Sequence, residues 1–107
     1  MQSDHPIICL ITAPNREEGL HIAHILVEEK LVACVNLIPG LTSIYHWKGE
    51  ICRDEEVLLM AKSLESRLGE IIRRVTELHS YEVPEIIAIP IEGGSEPYLN
   101  WIKDSIR

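Results

Sequence analysis

The chain has 107 residues, 46% of them hydrophobic and 25% charged. That is enough for one globular domain with a real core, and it excludes a disordered chain. A formal net charge of −7 excludes the phosphate backbone of a nucleic acid as a partner and favours small cations as charged visitors. Cys9, Cys34 and Cys52 cannot all pair and form no CxxC, so neither a disulfide framework nor a zinc knuckle is indicated.

A reducing cytosol fits such cysteine usage. Residues 1–6 are short and polar and lack the charged, apolar and cleavage-site order of a signal peptide. No apolar run is long enough to span a bilayer. The expectation is a cytoplasmic protein with no membrane partner. Repeats, low-complexity tracts and linkers are absent, so residues 1–107 read as a single domain.

The run Ile7-Ile8-Cys9-Leu10-Ile11 is apolar at consecutive positions, which predicts a strand over residues 6–12 buried on both faces. Asn15 offers an N-cap, Glu17 and Glu18 fall in the first turn, and Leu20, Ala23, Val27 and Leu31 recur at helical spacing. Residues 16–29 are therefore the first helix. His24 falls on that apolar stripe, and with His21 three residues earlier it reads as a boundary or surface histidine, no carboxylate completing a metal set.

Residues 31–63 read as two strands joined by a tight turn at Lys48-Gly49. A strand over residues 31–47 would run roughly 50 Å at about 3.3 Å per residue. A domain of this size has a radius of gyration near ~13 Å and a diameter of about 35 Å. Either the strand is bent or the hairpin projects beyond its own core. A two-residue turn sets Trp47 opposite Glu50, His46 opposite Ile51 and Tyr45 opposite Cys52, so His46 and Cys52 point to opposite sides. Pro39-Gly40 marks a bulge or bend in the first of the two strands. If it adds one residue, Cys34 comes opposite Lys62, whose ammonium would favour the thiolate that binds soft metals. The other reading of Cys34 is a small buried hydrophobe. The Asp54-Glu55-Glu56 run reads as a solvated edge that discourages strand aggregation.

Ser63 is placed to cap a second helix whose stripe is Leu64, Leu68, Ile71, Ile72, Val75 and Leu78. The loop that follows gathers His79, Tyr81, Glu82 and Glu85. It could line a pocket between subunits, with His79 as a neutral-imidazole ligand, or His79 could cap the helix and Tyr81 simply pack. A last strand over residues 85–92 contains Pro90, which belongs at an edge or bulge. Gly93-Gly94 turns the chain, and Ser95 with Pro97 opens a final helix carrying Tyr98, Trp101 and Ile102.

The order predicts an α+β fold, a ferredoxin-like split βαββαβ sandwich with a long hairpin between its second and third strands and a short C-terminal helix. Both long helices would cover one face of the sheet. The strands are apolar on both faces, and no remaining segment is large enough to cover the other, so neighbouring subunits are expected to do it. Trp47 would then anchor the hairpin tip on a neighbour or act as a lid over a pocket, and enrichment of tryptophan at interfaces favours the anchor. Nucleotide-binding glycine loops, a Ser-His-Asp order and a GxSxG elbow are missing, so neither catalysis nor an organic cofactor is expected.

The strings Leu31-Val32-Ala33-Cys34-Val35-Asn36-Leu37-Ile38-Pro39-Gly40, Ser43-Ile44-Tyr45-His46-Trp47-Lys48-Gly49 and His79-Ser80-Tyr81-Glu82-Val83-Pro84-Glu85 resemble the CutA divalent-cation tolerance family. Thr12-Ala13-Pro14 and Tyr98-Leu99-Asn100-Trp101 fit it as well, so the resemblance runs from about Ile7 onward. It implies a tight homotrimer with the long hairpins packed between subunits, a link to tolerance of divalent metals, copper(II) especially, and no settled catalytic activity. In that family the cysteine matched by Cys34 is a suspected copper ligand. Cys34 and His79 are the candidate metal ligands, and Tyr45, Trp47, Lys62, Tyr81 and Glu85 the candidate residues of a subunit cleft. The alternative is a signalling trimer like the PII regulators, binding a small anion or nucleotide at subunit clefts through Lys62 and Arg73 or Arg74.

Overall fold

A computed structural model describes residues 4–107, so the reading of the N-terminal segment falls partly outside the described residues. The elements run β1 (Pro6–Ala13), α1 (Arg16–Glu28), β2 (Cys34–Trp47), β3 (Glu50–Leu64), a 3-10 turn (Glu65–Arg67), α2 (Leu68–Leu78), β4 (Ile86–Pro90) and α3 (Glu96–Ser105). The strands form one antiparallel sheet in the order β2-β3-β1-β4. This is the expected ferredoxin-like α+β arrangement, and Pro90 lies on an edge strand where its missing N–H costs no ladder bond.

Alternation along the strands divides the sheet into two faces. Ile7, Cys9 and Ile11 of β1 pair with Ser63, Ala61 and Leu59 of β3 and turn toward α1 and α2, where Ile22, Leu26, Ile71 and Val75 complete the main core. α1 meets this face through Gly19, Ile22 and Leu26, not through the expected stripe, and Leu20 and Val27 stay 45% and 42% exposed. His24 is likewise exposed, 4.0 Å from Glu28. Gly19 sets the rotation. A Cβ there would stand 2.9 Å from Val57 Cγ2, so the glycine lets the helix lie close to the strands.

Asn15 caps α1 as expected, its side chain accepting from the Glu18 N–H at 2.8 Å. The other end closes in a Schellman motif. Lys30 adopts φ 58°, its N–H reaches the Val27 carbonyl at 3.0 Å, and the Leu31 N–H reaches Leu26 at 3.1 Å. Residues 31–33 leave this cap as a buried bend, so β2 begins at Cys34 and not at Leu31. Ser63 is no helix cap either. It lies within β3, fully buried, and its Oγ donates to the Leu31 carbonyl at 2.6 Å, tying that bend to the sheet. The entry to α2 is capped from a distance: the Asp4 carboxylate accepts from the N–H and hydroxyl of Ser66. Those bonds hold its pKa below the usual carboxylate value.

The hairpin both bends and projects. Lys48 and Gly49 have φ 50° and 81°, the two positive values of a type I′ turn. Trp47 pairs with Glu50, His46 with Ile51 and Tyr45 with Cys52. The register shifts by one residue between Ile38 and Leu41, and Cys34 pairs with Lys62. β1 supports β3 only as far as Val57, so the pairs from Leu41 and Glu56 outward form a two-stranded arm with no third strand among the described residues. The molecule is accordingly elongated, 46 × 25 × 24 Å.

The second face carries Ile8 and Leu10 of β1, Leu58, Met60 and Lys62 of β3, Cys34, Asn36 and Ile38 of β2, and Ile87 and Ile89 of β4. One end of it is covered from within the chain. α3 lays Ile102 against Ala33 and Leu64 there, and brings Tyr98 over Cys34. The rest has no cover among the described residues, and Ile87 and Ile89 are 52% and 48% exposed.

Candidate functional site

Cys34 sits at the α3 end of the open face, half-buried. Its Sγ lies 3.6 Å from the Tyr98 hydroxyl, and that contact holds the phenol above its ordinary pKa. Lys62 pairs with Cys34 across the strands, but its ammonium donates to Asn36 Oδ1, so the charge expected to favour the thiolate is engaged two residues further along β2. Cys9 is sealed in the core, where burial pushes its thiol up to about 11. Cys52 lies half-buried on the outer arm opposite Tyr45.

His79 closes α2, its N–H bonding the Val75 carbonyl at 2.8 Å, and its ring is fully buried. Nε2 lies 2.7 Å from the Thr12 carbonyl and donates to it; Nδ1 accepts from the Tyr81 N–H at 3.0 Å. Glu18 Oε2 approaches Nδ1 at 3.4 Å while accepting from the N–H and hydroxyl of Ser80, both at 2.9 Å. Both imidazole nitrogens are thus occupied in joining α1, β1 and the loop after α2. The structure does not bring Cys34 and His79 together. Cys34 pairs with Lys62 whereas Thr12 pairs with Leu58, about 13 Å further along β3 at 3.3 Å per residue. Among the described residues no group of three or more His, Cys, Asp or Glu side chains gathers where a metal could be held.

Four of the five residues expected at a cleft do converge. Tyr45 and Trp47 of the arm face Tyr81 and Glu85 of the loop across a cavity of about 540 Å³. Thr12, Lys48 and Glu56 also line it. Glu56 belongs to the acidic run expected to be solvated, yet it is only 8% exposed and accepts from the Tyr81 hydroxyl at 2.9 Å. The burial follows from the approach of the 79–85 loop to the hairpin, which has no sequence signal. Burial and the bond to Glu56 together raise the Tyr81 phenol well above its ordinary range. Tyr45 donates to Asp54, and that bond pushes its pKa up to about 12. Both phenols therefore stay protonated at neutral pH.

Lys62 is not part of this cavity. Nor do the cations of the anion-binding alternative converge: Arg73 pairs with Glu77 at 3.3 Å, Arg74 with Glu29 at 2.9 Å, and Lys62 with Asn36 on the sheet.

A family model described as CutA1 divalent ion tolerance protein matches residues 7–105. The chloroplastic CutA protein of Arabidopsis thaliana is 48% identical over 101 residues, which cover 94% of this chain and 56% of that protein. The divalent-cation tolerance protein CutA of Thermus thermophilus is 48% identical over 98 residues, covering 92% of this chain and 95% of the relative. The chain therefore spans little more than half of the plant relative and nearly all of the bacterial one. The crystal structure of CutA1 from Oryza sativa superposes with a TM-score of 0.95 at 44% identity, covering 98% of this chain and 96% of that one.

Proposed function

The chain belongs to the CutA1 divalent ion tolerance family, and from that premise we propose that it serves tolerance of divalent cations as a cytoplasmic homotrimer that binds metal rather than performs catalysis. The observation that carries the assembly is the open sheet face. Ile8, Leu10, Leu58, Met60, Ile38, Ile87 and Ile89 form one apolar surface on four adjacent strands. Contiguous apolar area of that kind is normally covered by another protein surface. Three copies closing around it give each sheet a neighbour, and the projecting arms then reach across subunit boundaries. Light scattering should give a mass three times the 12.2 kDa of one chain; a stable monomer at micromolar concentration would sink the assembly.

The metal proposed is copper(II) or another divalent or soft cation, with Cys34 as the soft donor. Its half-buried thiol on the assembling face supports this, since thiolate selects such ions. The donors of a single chain do not complete a site, because the His79 nitrogens are both occupied. The other ligands must then come from neighbouring copies or from solvent. Copper titration followed by absorption should lose its thiolate-to-metal band in Cys34→Ala and keep it in His79→Gln; an unchanged band in Cys34→Ala removes Cys34 from the site.

A further inference from the structure

The cavity between the hairpin arm and the 79–85 loop has a chemistry that the metal reading leaves unused. At about 540 Å³ it falls inside the size range of small-molecule pockets, about 300–1,000 Å³. Three of its walls are aromatic: Tyr45, Trp47 and Tyr81. The fourth feature is Glu56, a carboxylate that is 8% exposed. Oε2 accepts from Tyr81, while Oε1 receives no hydrogen bond from the described residues. Among those residues no lysine or arginine pairs with it. Oε1 is not sealed in the protein but is reached by solvent where Glu56 lines the cavity, so a positive charge entering the cavity can pair with it directly.

The chain already displays the matching contact. Lys48 lines the same cavity and holds its ammonium 5.8 Å from the centroid of the Trp47 ring, within cation–π range. Anions are excluded by Glu56, Glu82 and Glu85 on the lining. A hard metal ion is poorly served as well, because it needs six or more oxygens and the carboxylates here do not gather. A cation with an apolar body satisfies both the rings and the charge.

We propose that this cavity binds an organic ammonium cation, with its charged head beside Glu56 Oε1 and its substituents on the faces of Tyr45, Trp47 and Tyr81. Lys48 then acts as a tethered competitor at the rim, leaving the Trp47 ring when the ligand arrives. The feature that specifies an ammonium rather than any apolar molecule is a carboxylate oxygen free of protein donors on the same lining as three aromatic side chains.

The probe is phenyltrimethylammonium, set against its uncharged carbon isostere tert-butylbenzene. Binding to the full-length protein in a Trp101→Phe background is read from Trp47 emission. The ammonium should quench saturably and bind at least tenfold more tightly than the isostere. Glu56→Gln, which keeps an oxygen for Tyr81, should weaken the ammonium at least tenfold and leave the isostere unchanged. Equal affinities for the two probes, no saturable binding of the ammonium at millimolar concentration, or displacement of the ammonium by stoichiometric copper(II) would each overturn the proposal. Should Glu56→Gln fail to fold by circular dichroism, the comparison of the two probes on the unaltered pocket decides alone.

Discussion

Lys30 shows how one residue can carry strain for the sake of a connection. At φ 58° it occupies the left-handed position of the Schellman cap that turns the chain from α1 into the buried bend before β2. A side chain costs roughly 1 kcal/mol there relative to glycine. Lys30→Gly should therefore raise the stability of the protein by about 1 kcal/mol, less the backbone entropy that glycine gains in the unfolded chain. Urea denaturation of the two proteins checks it, and a lowered midpoint would show that the lysine stem contributes more by packing than the backbone loses. At this scale the residues themselves hide the outcome, for a definite reason. Lysine carries no cap signal, Ser63 carries a false one, and Glu56 is indistinguishable from Asp54 and Glu55 until the loop closes over it.

Among the elements, the long hairpin was the most legible. A two-residue turn of positive-φ type admits one register, and Pro39-Gly40 announces the extra residue, so the pairing of Cys34 with Lys62 could be read from the chain alone. α1 was legible in extent but not in orientation, because Leu20, Ile22, Ala23, Ile25, Leu26 and Val27 wrap apolar surface around most of the helix. Tertiary contact chose the Gly19 side. The two helices are clasped where α1 ends: Arg74 donates to Glu29 through Nε at 3.0 Å and Nη2 at 2.9 Å. This offsets a carboxylate placed at the wrong end of a helix dipole, and the bonds lower the Glu29 pKa from its ordinary 4.5. A carboxyl whose folded pKa is depressed stabilises fully above its unfolded value and loses that contribution as pH falls through the folded one. The urea midpoints of the unaltered protein and Arg74→Ala should differ at pH 7 and converge in acid below the carboxylate range. A gap that persists there would assign the effect to the arginine stem.

On the scale of the whole molecule, the apolar second face decides how the chain behaves. α3 protects only the end near Cys34, which the sequence reading did not anticipate because the final helix looked too short to cover a sheet. Ile87 and Ile89 lie on the edge strand, half exposed, so changing them touches little within one chain. Ile89→Asp should leave the secondary structure intact, cost the isolated chain less than about 0.5 kcal/mol, and shift the scattering mass toward the monomer. An unchanged trimer would exclude the β4 side of this face from the interface.

The unsupported arm has a last effect, on timescale. From Leu41 to Trp47 and from Glu50 to Glu56 each strand has one hydrogen-bonding neighbour, whereas the root of β3 has two. Isolated two-stranded ribbons are marginal in water, so arm amides open by local fraying while root amides wait for global unfolding. In a monomeric chain, the state expected of Ile89→Asp, amide exchange along β3 should therefore break sharply at Val57, with short lifetimes outward and long ones inward. Whatever settles against the arm, a neighbour or a ligand, would erase that step, making the hairpin's own amide protons the clock that reports its occupancy.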